Sequence, residues 1–285
     1  LDIVEHQRFF VRTRWQRSVA FMRLPVQAAI IAALAAGSVF ADDWTKTFVV
    51  SDQPALRIET DDGNVTVHTW DEKKIEVRVT TAGWKIGPGE VEVGQSQAGN
   101  RVEITVRSPH RGFSFFSVGM HSIDVDVHAP RQIESNIRTG DGNIDVTGLQ
   151  GETRLRAGDG HIEAESLGGS LEATTGDGHM RVRGRLDSLT LHSGDGGIDA
   201  ELLPGSKIAS SWRVESGDGG VTIRLPRDFS ADLDLHTGDG GITVDFPLTT
   251  TAGGRSEHDL RARLNSGGAP FIVRTGDGSI RLARL

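Results

Sequence analysis

The amino-acid sequence predicts an all-β protein: a β-solenoid, or β-helix, of about 18–23 residues per coil with a strand-rich N-terminal cap. Three observations carry this. First, Gly-Asp-Gly led by a small residue recurs at residues 139–142, 157–160, 175–178, 193–196, 216–219, 237–240 and 275–278, with steps between the Asp residues of 18, 18, 18, 23, 21 and 38. A fixed period near 20 residues marks a stack of like units. Second, each tetrapeptide is followed by one variable residue and then by alternation, as in Asn143-Ile144-Asp145-Val146 and Gly241-Ile242-Thr243-Val244. Period-2 alternation is the pattern of a half-buried strand. Third, no apolar 3.6-residue pattern runs through residues 56–285.

Taken in order, residues 1–21 are basic and irregular and read as an upstream extension. Met22-Arg23, the apolar run 24–37 and Ser38-Val39-Phe40-Ala41 then have the form of a signal segment cleaved after Ala41. The other reading is an uncleaved anchor, but the run is short for a membrane span and contains Gln27. Residues 42–130 form a β-rich region, either irregular coils or a small sheet capping the open end of the stack. It holds a degenerate repeat, Thr60-Asp61-Asp62-Gly63, and the alternating runs 74–79, 101–106 and 123–127.

Residues 131–285 form the repeat solenoid. Each unit is expected to hold two strands and two turns, with Gly supplying positive φ and Asp accepting turn N–H groups. Ile144, Ile162, Met180, Ile198, Val221, Ile242 and Ile280 are expected to stack as one internal column. Residues 249–269, rich in Thr, Gly and Ser, read as a loop excursion.

Composition narrows the function. The chain of 285 residues has 36 Gly and no Cys, which rules out disulfides, thiolate metal sites and Cys nucleophiles. Its formal charge is −8, and removal of residues 1–41, with five Arg and two acids, takes it to −11. An acidic exported rod argues against nucleic acid or anionic lipid as partners.

The stacked Asp residues are the first candidate site. Like charges about 4.8 Å apart repel by about 1 kcal/mol in water. Asp141, Asp159, Asp177, Asp195, Asp218, Asp239 and Asp277 are read as wet turn carboxylates or, alternatively, as ligands of a Ca²⁺ ladder. The Ca²⁺ β-roll repeat places Asp two residues before its apolar position, whereas here the step is three. No other cofactor is implied. His161 and His179, one period apart, are candidates for a transition metal or for solvated turn positions. Phe113, Phe115 and Phe116 form a candidate partner-binding patch or a plug for the end of the core. Arg138, Arg156 and Arg274 share one repeat position, where they either bind an anionic glycan or offset the Asp column.

The order of these parts resembles a bacterial family of unknown function known as putative adhesins. The residues that carry the resemblance are the step Val125-Asp126-Val127-His128-Ala129-Pro130 before the ladder, Ile223-Arg224-Leu225-Pro226 before a further coil, and Leu264-Asn265-Ser266-Gly267-Gly268 before the last strand pair. It covers roughly residues 56–285. The resemblance implies an exported β-solenoid of the cell envelope and supplies no catalytic residues. The sequence thus predicts a non-enzymatic, adhesin-like interaction scaffold in the periplasm or at the cell surface, with a protein or glycan partner. Membrane contact would come only through the signal segment, if uncleaved. Two alternatives stand beside this reading, a Ca²⁺-binding repeat module and a polysaccharide-active β-helix enzyme. The second lacks a distinguishable pair of acids, because Asp and Glu recur throughout the repeats.

Overall fold

The computed structural model describes residues 41–109 and 121–285. Every regular element among them is a strand. In chain order these are β1 (Ala41–Val49), β2 (Ala55–Thr60), β3 (Asn64–Trp70), β4 (Lys74–Ala82), β5 (Glu92–Ala98), β6 (Arg101–Arg107) and β7 (Ser122–Pro130). There follow β8 (Glu134–Thr139), β9 (Ile144–Thr147), β10 (Gln150–Ala157), β11 (Ile162–Thr175), β12 (Met180–Ser193), β13 (Ile198–Leu202) and β14 (Trp212–Ser216). The last are β15 (Val221–Leu225), β16 (Ala231–Thr237), β17 (Ile242–Val244), β18 (Leu248–Arg255), β19 (Asp259–Leu264), β20 (Pro270–Thr275) and β21 (Ile280–Arg284). No described segment is a helix long and apolar enough to cross a membrane.

The strands form a β-solenoid with two faces. The front sheet runs β1–β4–β7–β3–β9–β11–β12–β13–β15–β21–β17. The back sheet runs β5–β6–β2–β8–β10–β11–β12–β14–β20–β16–β19–β18. The 14-residue strands β11 and β12 belong to both, bending from front to back midway. Pairing is parallel between coils and antiparallel only where β1, β4, β5, β18 and β19 extend the ends.

Alternation within each strand sends every second side chain inward, and stacking makes those side chains columns. In the front sheet Val125, Val65, Ile144, Ile162, Met180, Ile198, Val221, Ile280 and Ile242 lie in register. In the back sheet Ile104, Ile58, Ile137, Leu155, Ala173, Leu191, Val214, Val273 and Leu235 do the same. Nearly all are buried, and each buried aliphatic side chain contributes on the order of 1.5–3 kcal/mol, less for Ala.

The Gly-Asp-Gly turns depart from expectation in two ways. None of their glycines has positive φ; the left-handed glycines Gly148 and Gly205 lie between strands, and Gly151 and Gly169 lie within β10 and β11. The repeated glycines are instead required by the closeness of the coils. A Cβ on Gly176 would lie 2.6 Å from the carbonyl oxygen of Gly158, and one on Gly158 would lie 2.5 Å from that of Gly140. At this edge the backbone hydrogen-bond ladder simply continues, with Gly158 N–H donating to Gly140 O (2.6 Å) and Gly176 N–H to Gly158 O (2.5 Å).

Nor does Asp hold the turn together. The preceding Thr or Ser does. Thr139 Oγ1 accepts from Gly142 N–H (3.3 Å) and donates to Gly63 O of the neighbouring coil (2.8 Å). Thr237 accepts from Gly240 N–H (3.0 Å) and donates to Gly278 O (2.7 Å). These hydroxyls are buried, so each satisfies groups that water cannot reach. Thr139→Val keeps the shape and removes both bonds. It is expected to destabilise the chain by about 1–3 kcal/mol in urea unfolding; a change under about 0.5 kcal/mol would remove the hydroxyl column from the account.

The coils do not stack in chain order. The pair β2/β3 lies between β6/β7 and β8/β9, and the pair β20/β21 lies between β14/β15 and β16/β17. Ile280 therefore separates Val221 from Ile242 in the internal column. Insertion one step inward leaves both edges of each pair hydrogen-bonded. The boundary read at residue 131 falls at no break in either sheet, because β2 and β3 pair with β8 and β9. Residues 249–269, expected as a loop, hold most of the hairpin β18–β19, which adds to β16 and buries Leu260 and Leu264.

Candidate functional site

The predicted Asp ladder is real as a column and exposed as a surface. Asp141, Asp159, Asp177, Asp195, Asp218, Asp277 and Asp239 follow one another along the turn edge, and all are exposed. Their carboxylates take part in no hydrogen bond or ion pair among the described residues. The degenerate repeat differs, since Asp61 and Asp62 accept from Ser108 N–H (3.2 Å) and Oγ (2.9 Å). Among the described residues no three His, Asp or Glu side chains converge on a point that could hold a metal ion.

The variable position after each turn forms its own relay. Asn143 N–H donates to Asn64 Oδ1 (3.0 Å), His161 N–H to Asn143 Oδ1 (2.8 Å) and His179 N–H to His161 Nδ1 (2.8 Å). His179 Nε2 meets Asp199 Oδ2 at 3.1 Å. The two imidazoles are thus neighbours, as their spacing predicted, but His161 Nδ1 is occupied as an acceptor and does not face a shared ion.

Charges elsewhere on the two faces are mostly paired across strands. Arg156 meets Glu172 (2.6 Å), Arg183 meets Glu201 (2.9 Å), Arg181 meets Glu163 (3.5 Å) and Arg274 meets Asp234 (2.8 Å). Arg156 and Arg274 therefore serve acids of the back sheet, not the Asp column. Each such surface pair contributes about 0–1 kcal/mol. A shallow depression of about 270 Å³ on the front sheet is lined by Glu165, Arg181, Arg183, Asp199, Glu201 and Arg224. Most of these side chains are already engaged by a neighbour in the ladder.

One area of the front sheet breaks this pattern. On β3 and β7 the rings of Trp70 and His128 lie 5.2 Å apart, and those of His128 and His68 lie 5.9 Å apart. Trp70 Nε1 donates to Lys74 O (2.8 Å), which fixes the indole, and Lys74 Nζ lies 5.0 Å from the ring centroid. Asp126 and Asp145 flank Thr66 in the adjoining row, and neither has an ion-pair partner among the described residues. The result is a row of aromatic rings bordered by carboxylates that form no ion pair among the described residues.

The profile of the family described as Toastrack DUF4097 matches residues 55–283. The chain belongs to the Toastrack DUF4097 family. Among solved structures, the Toastrack chain is similar to a putative cell adhesion protein of Clostridium sporogenes, at 12% identity and a TM-score of 0.42, over 85% of this chain and 100% of that one. It is also similar to a putative adhesin of Parabacteroides merdae (12% identity, TM-score 0.41, 85% and 96% coverage). A putative lipid binding protein of Parabacteroides distasonis matches at 12% identity and a TM-score of 0.42, with the same coverage. No curated protein matches the Toastrack chain.

Of the other expected features, Phe113, Phe115 and Phe116, the extension 1–21 and the signal segment up to residue 40 lie outside the described residues. The aromatic row was missed in the sequence. Alternation places His68 and His128 outward, but only the pairing of β3 with β7 brings them together across a sequence separation of 60. That pairing reverses the chain order of the coils, and no local signal in the Toastrack sequence announces it.

Asp145 gives this area a pH signature. Although Asp145 is exposed at the surface, its carboxyl is held above the usual range, first by partial desolvation against the neighbouring strands and then by Glu163, with His68 acting in the opposite direction. A raised folded-state value means that ionisation is harder in the fold than in the unfolded chain. Stability therefore falls as pH rises from the unfolded value to the folded one, and the penalty is complete above the folded value. Asp145→Asn is expected to raise the urea midpoint at pH 7 and to leave it unchanged near pH 3.5, below the unfolded carboxyl value of about 3.9. An equal effect at both pH values would contradict this account.

Proposed function

We propose that the protein is a non-enzymatic, adhesin-like scaffold exported to the cell envelope, holding an extended envelope polymer, protein or glycan, against its front sheet. The observation that carries this reading is the row Trp70, His128 and His68, bordered by unpaired Asp126 and Asp145. Aromatic faces supply contact area at low entropic cost, and aromatic side chains dominate binding hot spots. The carboxylates supply acceptors for hydroxyl or ammonium donors along the same strip. Hydrogen-bonded strands on both sides, parallel β9 and antiparallel β4, make the platform rigid, and a repeated coil lets one long partner make several weak contacts at once. Chemistry spread along ladders, with charges neutralised in pairs, suits binding rather than turnover. Export rests on the form of residues 22–41.

The test is sedimentation of the chain lacking residues 1–41 with isolated envelope material. Saturable binding is expected, weakened about tenfold or more by Trp70→Ala or His128→Ala while the unfolding midpoint is kept. Loss of binding after periodate treatment of the envelope would identify a glycan, and loss after protease a protein. Absence of saturable binding, or binding indifferent to both substitutions, would defeat the proposal.

A further inference from the structure

The inserted pair β20/β21 occupies a slot whose two walls are equivalent. On one wall Val214, Ser216, Val221 and Ile223 register with Val273, Thr275, Ile280 and Leu282. On the other, Leu235, Thr237, Ile242 and Val244 register with the same four residues. The inward register on both walls follows the common coil pattern, to which Phe271 adds ring contacts with Trp212 and Phe229, and Arg274 an ion pair with Asp234. The slot thus recognises a strand–Gly-Asp-Gly–strand unit by its repeat, whichever copy of the chain supplies it.

The connection that delivers the pair is short and bent. Strand β19 pairs with one side of β16 and β20 with the other, so residues 265–269 must carry the chain across β16. They do so with Asn265 at φ 53°, Gly267 at 73° and Gly268 at 147°. Asn265 Nδ2 ties the bend down by donating to Phe229 O (2.7 Å) and Arg227 O (3.0 Å). Left-handed backbone at a non-Gly residue costs of order 1 kcal/mol, and it is relieved when the segment straightens. Straightened, five residues span about 17 Å, enough to pass from one molecule into the slot of a neighbour. Short hinges held in bent conformations favour exchange of the element they carry.

We propose that β20/β21 is an exchangeable strand pair, and that two copies of this chain form a reciprocal dimer in which each fills the slot of the other. The contacts inside the slot are the same in monomer and dimer. The balance is therefore set by the hinge and by chain concentration against the effective concentration of the tethered pair.

The test uses Thr222 and Arg281, register partners on the outer face at the slot. The chain has no cysteine, so introduced thiols are unique. Full-length T222C and R281C chains are unfolded together, refolded over a range of concentrations and treated with a short bis-maleimide. A cross-linked heterodimer is expected, in a share that rises about in proportion to chain concentration and exceeds the T222C self-product. The double variant T222C/R281C, refolded dilute, is expected to cross-link within one chain. Heterodimer no more abundant than the self-product at every concentration would overturn the proposal. Failure of the double variant to close internally would also overturn it, because the register it rests on would be wrong. As a second measurement, deletion of residues 265–268 leaves about 7 Å of chain between Leu264 and Pro270, less than the roughly 9.6 Å of two strand spacings across β16, and light scattering is expected to report a dimer. A folded monomer of that variant would refute the exchange.

Discussion

Gly160→Ala is expected to destabilise the protein by about 3 kcal/mol or more, the upper end of what overpacking usually costs. The added Cβ would lie 2.5 Å from the Gly142 carbonyl carbon and 3.1 Å from Asn143 N. Both obstacles are backbone, and neither can rotate away. The coils are pinned at strand spacing by hydrogen bonds in both sheets, so the turn cannot back off without breaking its own ladder. Gly178→Ala should behave alike, since its Cβ would meet Gly160 carbonyl carbon at 2.5 Å. Gly241 is the internal control, with no atom within 4 Å of an added Cβ and no positive φ. Gly241→Ala should stay within about 0.5 kcal/mol of the parent. Urea unfolding of the three variants decides the matter: equal costs at Gly160 and Gly241 would mean that close approach is not why the motif carries glycine.

Phe271→Ala is expected to cost about 3–5 kcal/mol, the range for emptying a buried aromatic site. Phe271 is fully buried and in register with Trp212 on one side and Leu233 on the other. Its ring meets Trp212 edge-on at 5.6 Å and Phe229 at 6.3 Å. Trp212 Nε1 donates to Asp187 O, so the indole is held and cannot swing into the vacated space. The loss should fall on β20 and be felt by both strands beside it. Phe271→Leu should cost clearly less, because it retains most of the volume. Denaturant unfolding with amide exchange at β14 and β16 would check both the size and the location. A cost below about 1 kcal/mol would mean that β20 is not part of the core.

Much of this fold was legible because the repeat wrote it many times. Alternation after each Gly-Asp-Gly marked strands such as β9, β13 and β15, and the period marked their stacking. What could not be read was decided by contacts between coils. The wedge between Gly158 and Gly140 is invisible to a reader of one repeat, and positive φ was the obvious local reason for glycine. The Thr hydroxyl was overlooked because Ala157 and Ser193 made that position look merely small. The placement of β20/β21 ahead of β16/β17 was hidden by registers that fit either neighbour equally well. The hairpin β18–β19 was hidden by Thr and Gly content typical of a loop. For the candidate site, the Asp column was legible and its lack of partners was not. The row Trp70, His128 and His68 needed a pairing between distant segments.

The interleaved coil order has a mechanical consequence. Tension reaching Arg284 from the C-terminal side acts on β21, which is clamped between β15 and β17. Strands bonded along both edges and pulled lengthwise must slide past two neighbours at once, so the hydrogen bonds bear the load together. A terminal strand lying at the outer edge would instead come away one bond at a time. A pull on this end of the chain therefore meets a resistance that a strand at the outer edge would not offer.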